Sequence, residues 1–169
     1  MTKKSTPNVG ITDYRGELDL SDFDIVLSEQ SPLPGLTNDL PVFITDESKL
    51  LMTTAKDLEA RLKKLCKALT AEYKVKYPIR YKFKVKKSKG LPKITWYRLI
   101  LHRYPDEELE EKEVSNGVLR RFSYAMPWEI PLYLHLLDEL EKLDQRVIRI
   151  CTLAEAIKEL TKATKKYNT

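Results

Sequence analysis

The stretch from residue 79 to residue 103 constrains the fold of this chain more than any other part of the sequence. Within residues 79–86 apolar residues and cations alternate, and strand side chains alternate between two faces, so one face is cationic and the other apolar. Gly90 and Pro92 then mark a turn, and a second run rich in β-branched and aromatic residues follows. The pattern predicts an antiparallel β-hairpin with about ten residues in each arm.

The two faces of the second strand are assigned by their apolar content. The more apolar set is Thr95, Tyr97, Leu99 and Leu101. We expect that set to face the core, which turns Trp96 and Arg98 toward the cationic face and leaves Trp96 free to stack on a base. The alternative is a core tryptophan, because a one-residue change of register would invert the two faces.

The charge of the chain is strongly polarised. Residues 74–103 carry eleven Lys or Arg and no acid, so the rest of the +5 chain sums to −6, and residues 10–48 hold nine acids against one arginine. A concentrated positive field steers a protein onto a phosphate backbone. The candidate nucleic-acid-binding residues are Arg80, Lys82, Lys84, Lys86, Lys87, Lys89, Lys93, Trp96, Arg98 and Arg103.

Helical periodicity flanks the hairpin on both sides. A helix is predicted over residues 46–73, with Asp46 as its cap, because leucine and alanine recur there at gaps of three and four. A longer helix is predicted after Pro127 and Pro131, where a heptad seam begins at Leu136 and continues to Ile157. We expect this helix to pack on the first helix and the hairpin, and it offers a surface for a homodimer.

The chain divides into two parts in this interpretation. Residues 1–45 form an acidic, partly extended arm, which either packs as an edge segment or folds over the basic hairpin and competes with nucleic acid. Residues 46–169 form one α+β domain in which two long helices pack with a basic antiparallel hairpin or small sheet. The acidic run at residues 106–113 is expected to be a solvated turn or a short helix, and residues 118–124 a third strand or a short helix.

The sequence lacks the motifs of common enzymes and cofactor sites. There is no GxxxxGK, GxGxxG, GxSxG or HExxH, and His102 and His135 are the two histidines. Cys66 and Cys151 lie in helical patterns and are expected to be buried thiols. We therefore expect no catalytic activity, no cofactor and no metal. No apolar run approaches eighteen residues and no hydrophobic signal segment begins the chain, which favours a cytoplasmic protein without a membrane span.

The order of the predicted elements carries a family resemblance. A leucine-rich helix precedes a hairpin containing Trp96-Tyr97-Arg98, and a Gly117-Val118 turn leads to a long helix entered through Ile130-Pro131-Leu132-Tyr133. Over roughly residues 50–165 this layout resembles the MobI-like mobilisation accessory family of integrating conjugative elements. The resemblance implies a DNA-binding auxiliary that helps a relaxase assemble at an origin of transfer and has no catalytic residues.

The sequence thus predicts a non-catalytic nucleic-acid-binding protein, with DNA, duplex or single-stranded, as the first ligand. Its expected role is that of an accessory factor in conjugation or mobile-element DNA processing, with a relaxase or another DNA-processing protein as partner. Two alternatives remain at this point. One is a phage-type interaction or inhibitor module that targets a nucleic-acid enzyme, and the other is an RNA-binding protein.

Overall fold

A computed structural model gives the fold and describes residues 10–27, 39–100, 109–115 and 122–167. A short 3₁₀ helix, Leu20–Phe23, precedes helix α1, strands β1, β2 and β3, and helix α2. The bounds are α1 Asp39–Tyr73, β1 Tyr81–Ser88, β2 Leu91–Ile100, β3 Glu110–Val114 and α2 Ile130–Tyr167. The α+β class predicted from the sequence is confirmed, because two long helices pack with a small antiparallel sheet.

Helix α1 begins at Asp39 rather than at the expected Asp46. Pro41 lies in its first turn, where the missing N–H of a proline has no partner to lose. The predicted apolar stripe is confirmed, and its buried members are Leu51, Ala55, Leu58, Leu62 and Leu69. The helix ends where Lys74 adopts a φ of 57° and donates its N–H to the carbonyl of Thr70 at 3.0 Å.

The three strands form one antiparallel sheet in the order β1-β2-β3. Ser88 pairs with Leu91 across the turn Lys89-Gly90, whose φ values of 50° and 84° match the left-handed conformation that two-residue hairpins prefer. The predicted hairpin is therefore confirmed. Strand β3 corrects the expectation of an acidic turn or short helix for residues 110–113, because they pair with β2 instead, whereas residues 106–108 lie outside the described residues. Most of the element expected at residues 118–124 lies outside the described residues.

The register of the hairpin inverts the expected faces of β2. Phe83 lies opposite Trp96, whereas Lys82 lies opposite Tyr97. Residues directly opposite each other in an antiparallel pair share one face of the sheet, so Trp96 points to the core side and is only 4% exposed. The expected stacking role of Trp96 is wrong. The two-residue turn fixes the register, and the apolar content along β2 alone does not reveal it.

An aromatic cluster fills the space between the sheet and α2. Phe122 stacks on Tyr133 with 4.8 Å between ring centroids, and Tyr81 meets Phe122 edge-on at 5.1 Å. Trp96 lies 5.4 Å from Phe83 and 5.7 Å from Phe122. All five side chains are buried. Edge-to-face and offset contacts of this kind add to the free energy gained by burying the rings.

Two buried polar side chains, one just before α2 and one in its first turn, bind the backbone where β1 begins. Glu129 accepts hydrogen bonds from the backbone N–H of Arg80 at 2.7 Å, that of Met126 at 2.6 Å and the Tyr133 hydroxyl at 2.6 Å. The Tyr133 hydroxyl in turn accepts from the N–H groups of Arg80 and Tyr81. Desolvation raises the pKa of Glu129 even though these hydrogen bonds favour its charged form.

Residues 10–27 belong to the same core, so this part of residues 1–45 packs as a segment of the fold, which is the first of the two alternatives for the arm. The buried side chains of this segment are Ile11, Phe23 and Ile25. The carbonyl of Ile11 accepts the indole N–H of Trp128 at 2.7 Å, and the N–H of Ile25 donates to Glu139 at 2.9 Å. The 3₁₀ helix in this segment contacts both long helices. The acidic segment is therefore held by both apolar and polar contacts.

Helix α2 carries the predicted seam and packs against α1. The buried apolar positions of the helix are Leu132, Tyr133, Leu136, Leu140, Leu143 and Ile150. Between the helices, Arg146 and Glu47 form an ion pair at 2.5 Å with side chains only 9% and 11% exposed. The homodimer contact through this helix stays a prediction. In the part of the chain that the structure describes, neither helix has an apolar stretch long enough to cross a membrane.

Candidate nucleic-acid interface

The hairpin end of the sheet presents four exposed lysines, which we call the tip lysines: Lys86, Lys87, Lys89 and Lys93. Lys86 lies opposite Lys93, and Lys89 is in the turn that joins the two strands. Residues 81–100, which include both strands and the turn, contain no Asp or Glu. Four positive charges are thus displayed on a two-stranded ribbon that carries no acid of its own.

Two of the candidate cations are engaged by an acid from the third strand. Lys82 and Lys84 each form an ion pair with one carboxylate oxygen of Glu111. All three side chains are partly buried, and the two lysine amines lower the pKa of Glu111. The hydrogen bond that Lys84 donates to Glu111 in turn raises the pKa of the lysine. Strand β3 therefore supplies an internal counterion for the face of the sheet that the sequence predicted to be freely cationic.

Two of the three candidate arginines, Arg80 and Arg98, lie around Tyr124 instead of alongside Lys82 and Lys84. The guanidinium of Arg80 donates to the Tyr124 carbonyl at 2.8 Å, and that of Arg98 lies 3.8 Å from the centre of the Tyr124 ring. Arg98 pairs with Tyr81 and so shares the core-side face of the sheet. The expectation that Arg80, Lys82, Lys84 and Arg98 form one cationic face is therefore corrected for Arg98. Arg103 lies outside the described residues.

The aromatic residue on the outer face of β2 is Tyr97, which the sequence interpretation assigned to the core. Tyr97 lies opposite Lys82, and the amine of Lys84 is 4.8 Å from the centre of its ring. This distance fits a cation–π contact. Once the turn has set the register, the alternation along β2 identifies Tyr97 in place of Trp96 as the partly exposed aromatic neighbour of the cations.

Among the described residues, one group combines side chains of the kind that bind metals: Asp24, His135 and Glu139, whose ligand atoms lie within 4.8 Å of one another. His135 Nε2 is 2.8 Å from an oxygen of Asp24. The buried Glu139 already accepts the N–H of Ile25 and pairs with Lys142. These contacts already use both oxygens of Glu139, so we interpret the group as a clamp between the N-terminal segment and α2.

The two cysteines lie apart from this group and differ in exposure. Cys66 on α1 is half-buried, and burial raises the pKa of its thiol to about 11. Cys151 on α2 is exposed, which corrects the expectation of a buried thiol. Because its pKa is so high, the Cys66 thiol is a poor nucleophile at neutral pH.

No protein-family model matches this sequence, and comparisons with curated proteins and with solved structures return no match. The geometry and charge of the chain itself therefore carry the functional argument.

Proposed function

We propose that this chain is a non-catalytic nucleic-acid-binding protein that contacts the phosphate backbone with its tip lysines. The single observation that carries the proposal is the display of four exposed lysines on a ribbon without acidic residues. A two-stranded antiparallel ribbon has the dimensions to enter the major groove of B-DNA, and lysine amines neutralise phosphates. The other cations of residues 80–98 support the ribbon through contacts within the protein.

The resemblance to MobI-like accessory proteins makes DNA the first ligand to test and a relaxase the first protein partner. In that role the protein would position DNA for another protein's chemistry. RNA is the competing ligand. A module that inhibits a nucleic-acid enzyme by docking on it is the competing function, since a basic ribbon also complements an acidic protein surface.

The test is fluorescence anisotropy with labelled DNA duplexes over a range of salt concentrations. Neutralising all four tip lysines, as Lys86→Gln, Lys87→Gln, Lys89→Gln and Lys93→Gln, should weaken binding strongly. The slope of log K against log salt should become shallower by about 3 to 4, because each phosphate contact with B-DNA contributes about 0.9.

A matched control neutralises four exposed lysines near the end of α2: Lys158, Lys162, Lys165 and Lys166. The net charge changes equally in the two variants, so unequal effects locate the binding surface. Equal losses would refute the role of the tip, and wild-type protein that binds neither DNA nor RNA at low salt would favour the protein-interaction module.

A further inference from the structure

A groove of about 750 Å³ lies between α1 and the edge strand β1. One wall is formed by the face of α1 that runs from Glu59 to Ala71. The other is formed by residues between 76 and 86, which lead into and along β1, together with Leu99 of β2. At one point the helix binds the strand edge, where Glu59 accepts the N–H of Val85 at 3.3 Å. Beside this contact the groove stays open, and its volume is within the range of about 300–1,000 Å³ that is typical of ligand sites.

The floor of the groove is apolar. Leu62, Ile79 and Phe83 contribute to it and are only 2% or 3% exposed, and Cys66 lies beside them. The desolvation that raises the pKa of the Cys66 thiol reflects the same dry surroundings. A ligand that fills this groove must therefore present an apolar face.

The rim of the groove is cationic. Its lysines are Lys63, Lys67, Lys76, Lys82, Lys84 and Lys86. The one acid in the lining is Glu59, whose side chain is 14% exposed and pairs with Lys63 at 2.8 Å. Lys82 and Lys84 share their charge with Glu111, whereas Lys67, Lys76 and Lys86 are exposed. The ligand must therefore also carry several negative charges.

The lysines on the two long sides of the groove recur at regular intervals. Lys63 and Lys67 are one helical turn apart on α1, a rise of about 6 Å. Alternate residues along β1, such as Lys84 and Lys86, are about 6.8 Å apart. Such a spacing suits an extended polyanion that runs along the groove, whereas an anion with one charged head group would leave most of these cations unused.

We propose that this groove binds a single strand of nucleic acid, with phosphates on the lysine rim and an unstacked base against the apolar floor. The inference rests on the proposed function and names single-stranded nucleic acid as the ligand that the groove binds. A duplex keeps the faces of its bases stacked inside, so it offers the floor nothing apolar. A single strand offers both a base face and a charged backbone.

The test compares an oligothymidylate of about 12 nucleotides with a duplex of equal length, by anisotropy at matched salt. The groove is filled without a change in charge by Ala71→Trp, since Ala71 lines it. Ala60→Trp is the matched control, because Ala60 is an exposed alanine of the same helix outside the groove lining. Circular dichroism and thermal melting establish that both variants fold.

Ala71→Trp should weaken binding of the single strand by about 5- to 150-fold, the range for loss of one stacked base, while duplex binding and the Ala60→Trp control stay unchanged. If Ala71→Trp fails to fold, Lys67→Gln combined with Lys76→Gln serves instead. This variant should make the single-strand salt slope shallower by about 1.4, or about 0.7 for each phosphate.

Three outcomes separate the two proposals. If Ala71→Trp folds and binds the single strand like the wild type, the groove assignment is overturned while binding at the tip lysines stands. If an acidic amphipathic peptide loses binding with Ala71→Trp and the oligothymidylate does not, the groove is a protein-docking site. If the wild type binds neither DNA nor RNA, the proposed function itself fails.

Discussion

Replacing Trp96 with alanine tests the register on which the arrangement of the basic surface depends. The indole is 4% exposed and lies within 6.2 Å, between ring centroids, of Phe83, Phe122 and Tyr133. Removing a buried tryptophan leaves a cavity and lowers the free energy of unfolding by about 3–5 kcal/mol. For a chain of this length each kcal/mol lowers the melting temperature by about 2–4 °C, so Trp96→Ala should lower it by about 6–20 °C.

The free energy of unfolding is measured by urea denaturation, followed by circular dichroism because the mutation removes one of the two tryptophans. Trp96→Phe is the informative companion, since it keeps an aromatic ring in the cluster and should bind nucleic acid like the wild type. A loss below about 1 kcal/mol for Trp96→Ala would refute burial of this side chain. A loss of binding on the order of 1–3 kcal/mol for Trp96→Ala, with stability retained, would restore the stacking role that the structure contradicts.

Three further predictions follow from individual contacts. Glu129→Gln should lower the free energy of unfolding by about 1–3 kcal/mol. Both oxygens of the Glu129 side chain accept hydrogen bonds, whereas a glutamine amide accepts them only through its one oxygen. Burial raises the pKa of Glu129. The difference in free energy of unfolding between the wild type and Glu129→Gln should therefore shrink as pH rises from the ordinary glutamate pKa through the raised value. Urea titrations in which this difference grows with pH would contradict the prediction. Arg146→Met should lower the free energy of unfolding by about 3–5 kcal/mol, because it leaves the Glu47 carboxylate without its ion-pair partner. The double variant with Glu47→Leu should recover most of that loss in the same assay. Glu111→Gln should tighten DNA binding at low salt, and anisotropy values that do not change would show that Lys82 and Lys84 do not reach the ligand.

Local sequence patterns predicted the helices and the hairpin because each depends on short-range periodicity. The stripe from Leu51 to Leu69 and the seam from Leu136 to Ile150 face the core as expected, with Leu65 and Val147 partly buried and the other members buried. The helix start was less accurate, since Asp46 is an acceptable cap but the helical pattern continues back through Pro41. The sequence offered no local signal that distinguishes these two starts.

The features that the sequence did not reveal depend on contacts between distant residues. Strand β3 is rich in glutamate, which is depleted in strands, and its pairing with β2 follows from tertiary contacts instead of propensity. The face of Trp96 depends on a register that one turn decides. The attachment of residues 10–27 depends on partners such as Trp128, which is 117 residues from Ile11 in sequence. Charge showed which part of the chain is basic but could not show which cations are already paired.

The pairing of Lys82 and Lys84 with Glu111 changes where a polyanion is expected to bind. A phosphate that approaches these two lysines must displace a carboxylate held in the same sheet. At the tip lysines the described residues form no such ion pair, so a phosphate there displaces water and counterions. The tip lysines and the lysines of the groove rim share one member, Lys86 on β1. In the binding mode that we propose, one strand runs from the tip lysines into the groove, and the pairing with Glu111 disfavours binding across the outer face of the sheet.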